Sequence, residues 1–309
     1  PEEYLGGYAG QHYTSGHIRL GDDADVSAIV AHEIAHQWAN DSNFSQTWLK
    51  EGIADWVANE VVPLTSRDYC FEPGAYPGRG KPRLSRWLSP GPREAERKSD
   101  LVDYQYDAAC HIFTRLGTVM GSERMVEVIR TLVDGRPPYG GSARSRDERR
   151  RPADWREWLD AVDEVGLVPS GHEDLGLAEA FVTEFGIAGQ KSLAGRAETR
   201  KRYHELVARQ PGVIAPLVLR DQMDAWRFGD ARKTMSIAES LAPRIAAALS
   251  MVDALPPDDA ARVLKLQRRY ERAMTTKALR RLRADVRHLP TAADDPGPTT
   301  TPEITIPIG

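Results

Sequence analysis

The stretch His32-Glu33-Ile34-Ala35-His36-Gln37-Trp38, followed by Trp48-Leu49-Lys50-Glu51-Gly52-Ile53-Ala54-Asp55, decides how this chain is read. Residues four apart lie on one face of an α-helix, so His32 and His36 can offer imidazole nitrogens to a single metal ion. Glu33, one position on, reaches the open side of that ion. The run Val26, Ile29, Val30 before the motif and Trp38 after it place the pair inside an amphipathic helix, with Asp23 or Asp25 as its N-cap. A catalytic zinc takes three protein ligands and leaves a fourth position to water, and Glu51, fifteen residues beyond His36, completes a His2Glu set. Asp55, one turn after Glu51 on the same face, is placed to accept the free N–H of a ligating imidazole and so fix its tautomer. The competing reading, two core histidines beside unrelated surface carboxylates, leaves this clustering to chance.

HEIAHQW followed by WLKEGIADW resembles the gluzincin metallopeptidases, especially the aminopeptidase-N-like group and its peptidase MA-like relatives. The resemblance implies that His32, His36 and Glu51 bind one Zn2+ per chain and that Glu33 is the general base. It also makes the Glu51 to Asp55 spacing similar to the thermolysin-type pattern, whose aspartate supports a zinc-binding histidine. Farther on, Tyr106-Asp107-Ala108-Ala109 resembles the segment that carries an oxyanion-stabilising tyrosine in that family. The tyrosine matches and the following Lys-Gly pair does not. Tyr104 is the alternative, turned away by about 200° on the same helix, so only one of the two can face the metal. The implied fold is mostly α with a small β portion (α+β): a thermolysin-like gluzincin catalytic domain followed by an α-helical C-terminal domain.

The resemblance covers roughly the first 120 residues and departs from the aminopeptidases in two places. The His36 to Glu51 spacing is shorter, as in MA-like members, and Gly6-Gly7-Tyr8-Ala9-Gly10-Gln11-His12 offers no counterpart of the motif that grips a free amino terminus. Internal cleavage of a peptide or protein substrate is therefore expected over aminopeptidase action, with the peptide paired along Gly16–Leu20, whose short alternation reads as a strand. The alternative, from another class, is a catalytically weak or inactive zinc-containing interaction protein whose helical region binds a protein partner. The intact Glu33 argues against it, because a structural zinc site needs no base and is closed by a fourth ligand.

The 309 residues, 41% hydrophobic, suffice for two compact units, and a net charge of −4 with pI near 6.1 gives no reason to expect nucleic acid. No apolar run is long enough to cross a bilayer. The chain opens on Pro1 without the family's usual upstream domain, which leaves the compartment open. It is extracellular or cell-envelope if a signal or anchor was removed, and cytoplasmic otherwise. A Cys70–Cys110 bridge would close a loop of about forty residues in an oxidising compartment. With one pair only, a free core thiol at Cys110 is the expectation.

Along the chain, 1–135 reads as the catalytic domain, with a Pro- and Gly-rich segment at 63–99 as a candidate cleft wall. A helix then presents Tyr106, Ala109, Phe113 and Leu116 inward and ends at Gly117. Residues 136–152 read as a linker whose arginines are solvated, 153–189 as helices packing on the catalytic domain, 190–289 as an α-helical domain and 290–309 as a flexible tail. Within 190–289, breaks are expected at Pro211-Gly212, Gly229-Asp230 and Pro256-Pro257. The last helix is expected to run from Asp258 to Leu289 with Val263, Leu266, Tyr270, Met274 and Leu282 on a buried stripe.

Overall fold

Apolar residues recur at helical spacing through most of the chain outside 63–99, 136–152 and the tail, and the computed structural model is accordingly mostly helical in the residues it describes. It describes residues 10–12, 18–20, 26–62, 73, 82–87, 99–142, 151–167, 169 and 176–289. Two compact units divide at 194/195. Among the described residues, strand is confined to an antiparallel pair, β1 (Gly10–His12) and β2 (Ile18–Leu20), in the register Gly10 to Leu20 and His12 to Ile18. Both strands lie against α1 (Val26–Ala35), the helix that carries the first histidine. The six strand residues among those described do not make the sheet of a thermolysin-like α+β domain, so that expectation is corrected: the described part of unit 1 is mostly helical.

The core of unit 1 is built by α2 (Thr47–Val61) and α3 (Ser99–Met120), which pack along each other. Trp48 of α2, Phe113 of α3 and Trp158 of α5 (Trp155–Ala161) form an aromatic trio, with ring centroids 5.0 to 6.1 Å apart. Two glycines set the approach of α2 and α3. A Cβ at Gly52 would lie 2.5 Å from the Phe113 ring and 3.0 Å from the Ala109 carbonyl oxygen. A Cβ at Gly117 would lie 2.6 Å from the Trp56 indole nitrogen. Gly117 therefore does not end α3 as the sequence suggested. The helix continues to Met120, and Gly121, at φ +83°, makes the break before α4 (Ser122–Val133).

α5 is capped by Asp154, whose carboxylate accepts from the Arg156 and Glu157 N–H groups, and it runs on as a wider turn over Val162–Leu167. The segment ahead of it is tied to the loop after α1 by Ser45 N–H to Ala153 O (2.9 Å) and Ala153 N–H to Asn43 O (2.7 Å). Of the stretch read as a linker, 136–142 and 151–152 are described, and there Tyr139 is buried with its hydroxyl directed at Asp160. α6 (Leu177–Glu184) packs on α3, where Phe181 and Phe185 meet the His111 ring. Cys110 is buried and disulfide-bonded, which corrects the expectation of a free thiol; the chain's other cysteine, Cys70, lies outside the described residues.

Unit 2 holds α7 (Arg196–Ala208), α8 (Leu217–Asp224), α9 (Phe228–Ser250), α10 (Pro257–Glu271) and α11 (Thr276–Arg287). Gly229 lies inside α9, and the break falls just before it, at Trp226 with φ +56°. The single helix expected over 258–289 is two: α10 stops at Glu271, and Thr275 caps α11 by accepting the Ala278 N–H at 3.0 Å. Val263, Leu266, Tyr270 and Leu282 are buried as expected, but Met274 sits in the turn and is 70% exposed. No described helix is long and apolar enough to cross a membrane. The tail 290–309 lies outside the described residues.

Candidate metal centre

α1 supplies the first half of the site. His32 lies in its last turn and Glu33 is buried at 6% exposure. The helix stops at Ala35, and the chain turns through hydrogen bonds from Gln37, Trp38 and Ala39 back to Ile34 and Ala35. His36 therefore stands at the end of the helix, where its Nδ1 donates to Ala39 O at 2.8 Å. A carbonyl oxygen can only accept, so a neutral His36 ring keeps the proton on Nδ1 and presents a lone pair at Nε2. Trp38, read from sequence as part of the apolar face, lies in the turn after α1 and is 54% exposed. Asp23 and Asp25, the candidate caps, lie outside the described residues.

α2 supplies the second half. Its buried side, Trp48, Leu49, Gly52, Ile53, Ala54, Asp55 and Trp56, turns Glu51 and Asp55 toward α1. His32 Nδ1 meets Asp55 Oδ1 at 2.7 Å, leaving His32 Nε2 free to turn to the other side. There His32 Nε2 and His36 Nε2 approach to 3.1 Å, and Glu51 Oε2 stands 3.3 Å from the first and 3.5 Å from the second. Among the described residues these three form the group that can hold a metal ion. Donors about 2.0–2.1 Å from a tetrahedral ion are separated from one another by about 3.3 Å, so the three spacings fit the edges of such a site. Three electron-rich atoms drawn this close repel unless a cation or shared protons lie between them.

The electrostatics agree with that crowding. Burial works against a charge on His32, but hydrogen bonds to Asp55 and Glu51 outweigh it and raise its pKa to about 10. Burial would likewise raise Glu51, yet its two histidine partners draw it down to about 2. Burial pushes the Asp55 carboxyl up in spite of its bond to His32. A carboxylate kept out of water is costly to maintain, and the 2.7 Å contact with His32 offsets only part of that cost.

The remaining site residues are placed by other contacts. Tyr106 lies on α3, half-buried, with Trp87 edge-on to its ring at 4.8 Å between centroids. Tyr104 is buried on another face of α3, where burial and the nearby Glu184 raise its pKa, so it belongs to the α6 side. Leu84–Trp87, a fragment of the long 63–99 segment, is fastened to the end of α6 by Leu84 N–H to Phe185 O and Ser85 Oγ to Gly186 O. The rest of that candidate cleft wall, except Pro73 and Pro82 to Arg83, lies outside the described residues or begins α3 at Ser99.

Three residues of this neighbourhood were not singled out from sequence. Gly52, next to Glu51, lets α3 close on α2. Its signal was an isolated glycine within a helical pattern. Asp107 faces the same region, its carboxyl pushed up by burial and by Asp103 and Asp55. Trp87, which orients Tyr106, carried no motif at all. In searches against protein-family models, curated proteins and solved structures, the chain matches none.

Proposed function

We propose that this chain is a zinc-dependent metallopeptidase of gluzincin type, holding one Zn2+ through His32, His36 and Glu51. The observation that carries the reading is the convergence of His32 Nε2, His36 Nε2 and Glu51 Oε2 at 3.1 to 3.5 Å, on the residues that the HExxH spacing and the following helix nominate. Asp55 and Ala39 O hold the opposite ring nitrogens, so both imidazoles are oriented from behind. A bound zinc supplies a water of lowered pKa and polarises the scissile carbonyl.

The chain's own groups do the rest. Glu33, at the neighbouring position of α1, takes the water's proton on its carboxylate and passes it to the leaving amine. Tyr106, steadied by Trp87, donates its phenolic hydrogen to the developing oxyanion, a contribution of about 3 kcal/mol for comparable donors. An extended substrate is taken by β2, which pairs with β1 along one edge and lies against α1. With no carboxylate in Gly6–His12 to anchor a free amino terminus, cleavage is internal.

The test is digestion of an unbiased peptide mixture and of one peptide with and without an acetylated amino terminus. Internal cuts that persist on acetylation and vanish in Glu33→Gln support the reading. Single residues released only from the free amino end show an aminopeptidase, and no turnover by the zinc-loaded protein removes the peptidase assignment.

A further inference from the structure

The net charge of −4 conceals a division. Unit 1 carries 21 Lys and Arg against 31 Asp and Glu, whereas unit 2 carries 20 against 14. The excess is concentrated in the α10–α11 hairpin: residues 257–289 hold ten basic side chains and four acidic ones, and all ten basic side chains are exposed. Helical spacing explains why. Val263, Leu266 and Tyr270 on α10, with Leu279, Leu282 and Val286 on α11, are buried, and the cations fill the opposite faces. One acid, Asp285, is taken by Arg269 across the hairpin at 2.7 Å, and another, Glu271, is turned to Gln267 and the Ile214 N–H.

Charge alone would be a solvated face. The turn of the hairpin adds a second feature. Met274, between Arg272 and Lys277, is 70% exposed, and Ile214 in the neighbouring loop is 57% exposed. The two are held at the same end of unit 2, since Ile214 N–H donates to Glu271 Oε1 (3.2 Å), Gln267 Nε2 donates to Gly212 O (3.1 Å) and Val218 N–H donates to Ala273 O (2.8 Å). Two exposed aliphatic side chains at one cation-rich end fit a partner that is apolar just beneath a negative surface. A nucleic-acid backbone rewards the charge but offers nothing to cover Met274 and Ile214, and among the described residues of this face there is no exposed large aromatic side chain for bases to stack on.

We infer that this end of unit 2 docks on an anionic lipid bilayer, with Met274 and Ile214 entering the headgroup region, Arg272 and Lys277 on the lipid phosphates, and the other cations supplying longer-range attraction. Arginine predominates over lysine in the hairpin, which suits a surface of phosphate oxygens.

The test is co-sedimentation of the full chain with vesicles of phosphatidylcholine alone or with about one third phosphatidylglycerol, beside a DNA duplex as competitor. Binding to the anionic vesicles only is expected, lost at about 1 M salt, where the screening length falls to about 3 Å. Arg280→Glu with Arg281→Glu should weaken it at least tenfold, each charge near such a surface being worth about fivefold. Met274→Ser with Ile214→Ser should also weaken it, at unchanged helix content by circular dichroism. Equal binding to neutral vesicles, no binding to anionic ones, indifference to the Met274 and Ile214 pair, or preference for the duplex would each overturn the proposal.

Discussion

The two units treat charge in opposite ways. Among the described residues, unit 1 buries four carboxylates, Glu33, Asp55, Asp160 and Asp163, and draws Glu51 between two histidines, whereas unit 2 buries one charged side chain, Arg196, under the Trp226 ring, and leaves its many other cations at or near the surface. A buried carboxylate opposes folding unless its surroundings repay it, so its presence points to a task at that spot. An exposed cation costs almost nothing and acquires meaning only from its neighbours, as Arg272 and Lys277 do beside Met274.

Substitutions on the buried side should therefore be felt strongly. The largest effect is expected at Glu33. Glu33→Gln keeps the shape of the side chain but removes the base, so turnover should fall by about 10²–10⁴-fold while metal content stays at the wild-type level. A variant that loses metal and activity together would make Glu33 a structural partner of the cluster instead. Next is Asp55→Asn, which leaves the His32 ring without its carboxylate. Zinc affinity should drop by about 10–100-fold in a competition titration with a chelator, with the fold intact. Unchanged affinity would reduce the 2.7 Å contact to a packing detail.

A smaller effect is expected where the glycines set the helix approach. Gly52→Ala places a methyl against Phe113 and the Ala109 backbone, and should cost about 1–3 kcal/mol in denaturant unfolding. By contrast Arg280→Glu, on the exposed side, should change unfolding by less than about 0.5 kcal/mol. Equal losses at Gly52 and Arg280 would erase the distinction drawn between the two units.

Stability against pH probes the same cluster after metal is removed with chelator. His32 is raised above its ordinary 6.5, so its contribution is complete below that pH and is lost as pH rises through about 10. Glu51 is lowered from 4.5, so its contribution is complete above that pH and is lost as pH falls through about 2. The melting temperature of the stripped protein, measured relative to His32→Asn, should therefore be greatest between about pH 4.5 and 6.5 and decline on both sides. A flat difference would show that the cluster adds no stability of its own. Restoring zinc should favour the neutral rings and so gain affinity as pH rises.

The parts of the molecule legible in sequence were those fixed by local periodicity. His32 near the end of α1, His36 in the turn just after it, and Glu51 and Asp55 one turn apart on α2 converge, and the spacing that brings each pair together is visible without a structure. What failed depended on distant contacts. Gly117 looks like a helix stop until Trp56 is seen to occupy the space its side chain would fill. Met274 continues the apolar rhythm of α10 but falls after its end, where Thr275 caps the next helix. Trp38 sits outside for a related reason, since α1 ends at Ala35 and the turn carries the indole away from the core. The expected extent of β structure came from the resemblance, and it exceeds what the described residues contain.

The central claim is that His32, His36 and Glu51 are the ligands of one metal ion. It is tested most directly by elemental analysis of the purified protein and of Glu51→Ala prepared alongside it. The account predicts close to one zinc per chain in the first and a sharp loss in the second. A full-strength zinc signal in Glu51→Ala, or none in the wild-type protein after exposure to zinc, would contradict it.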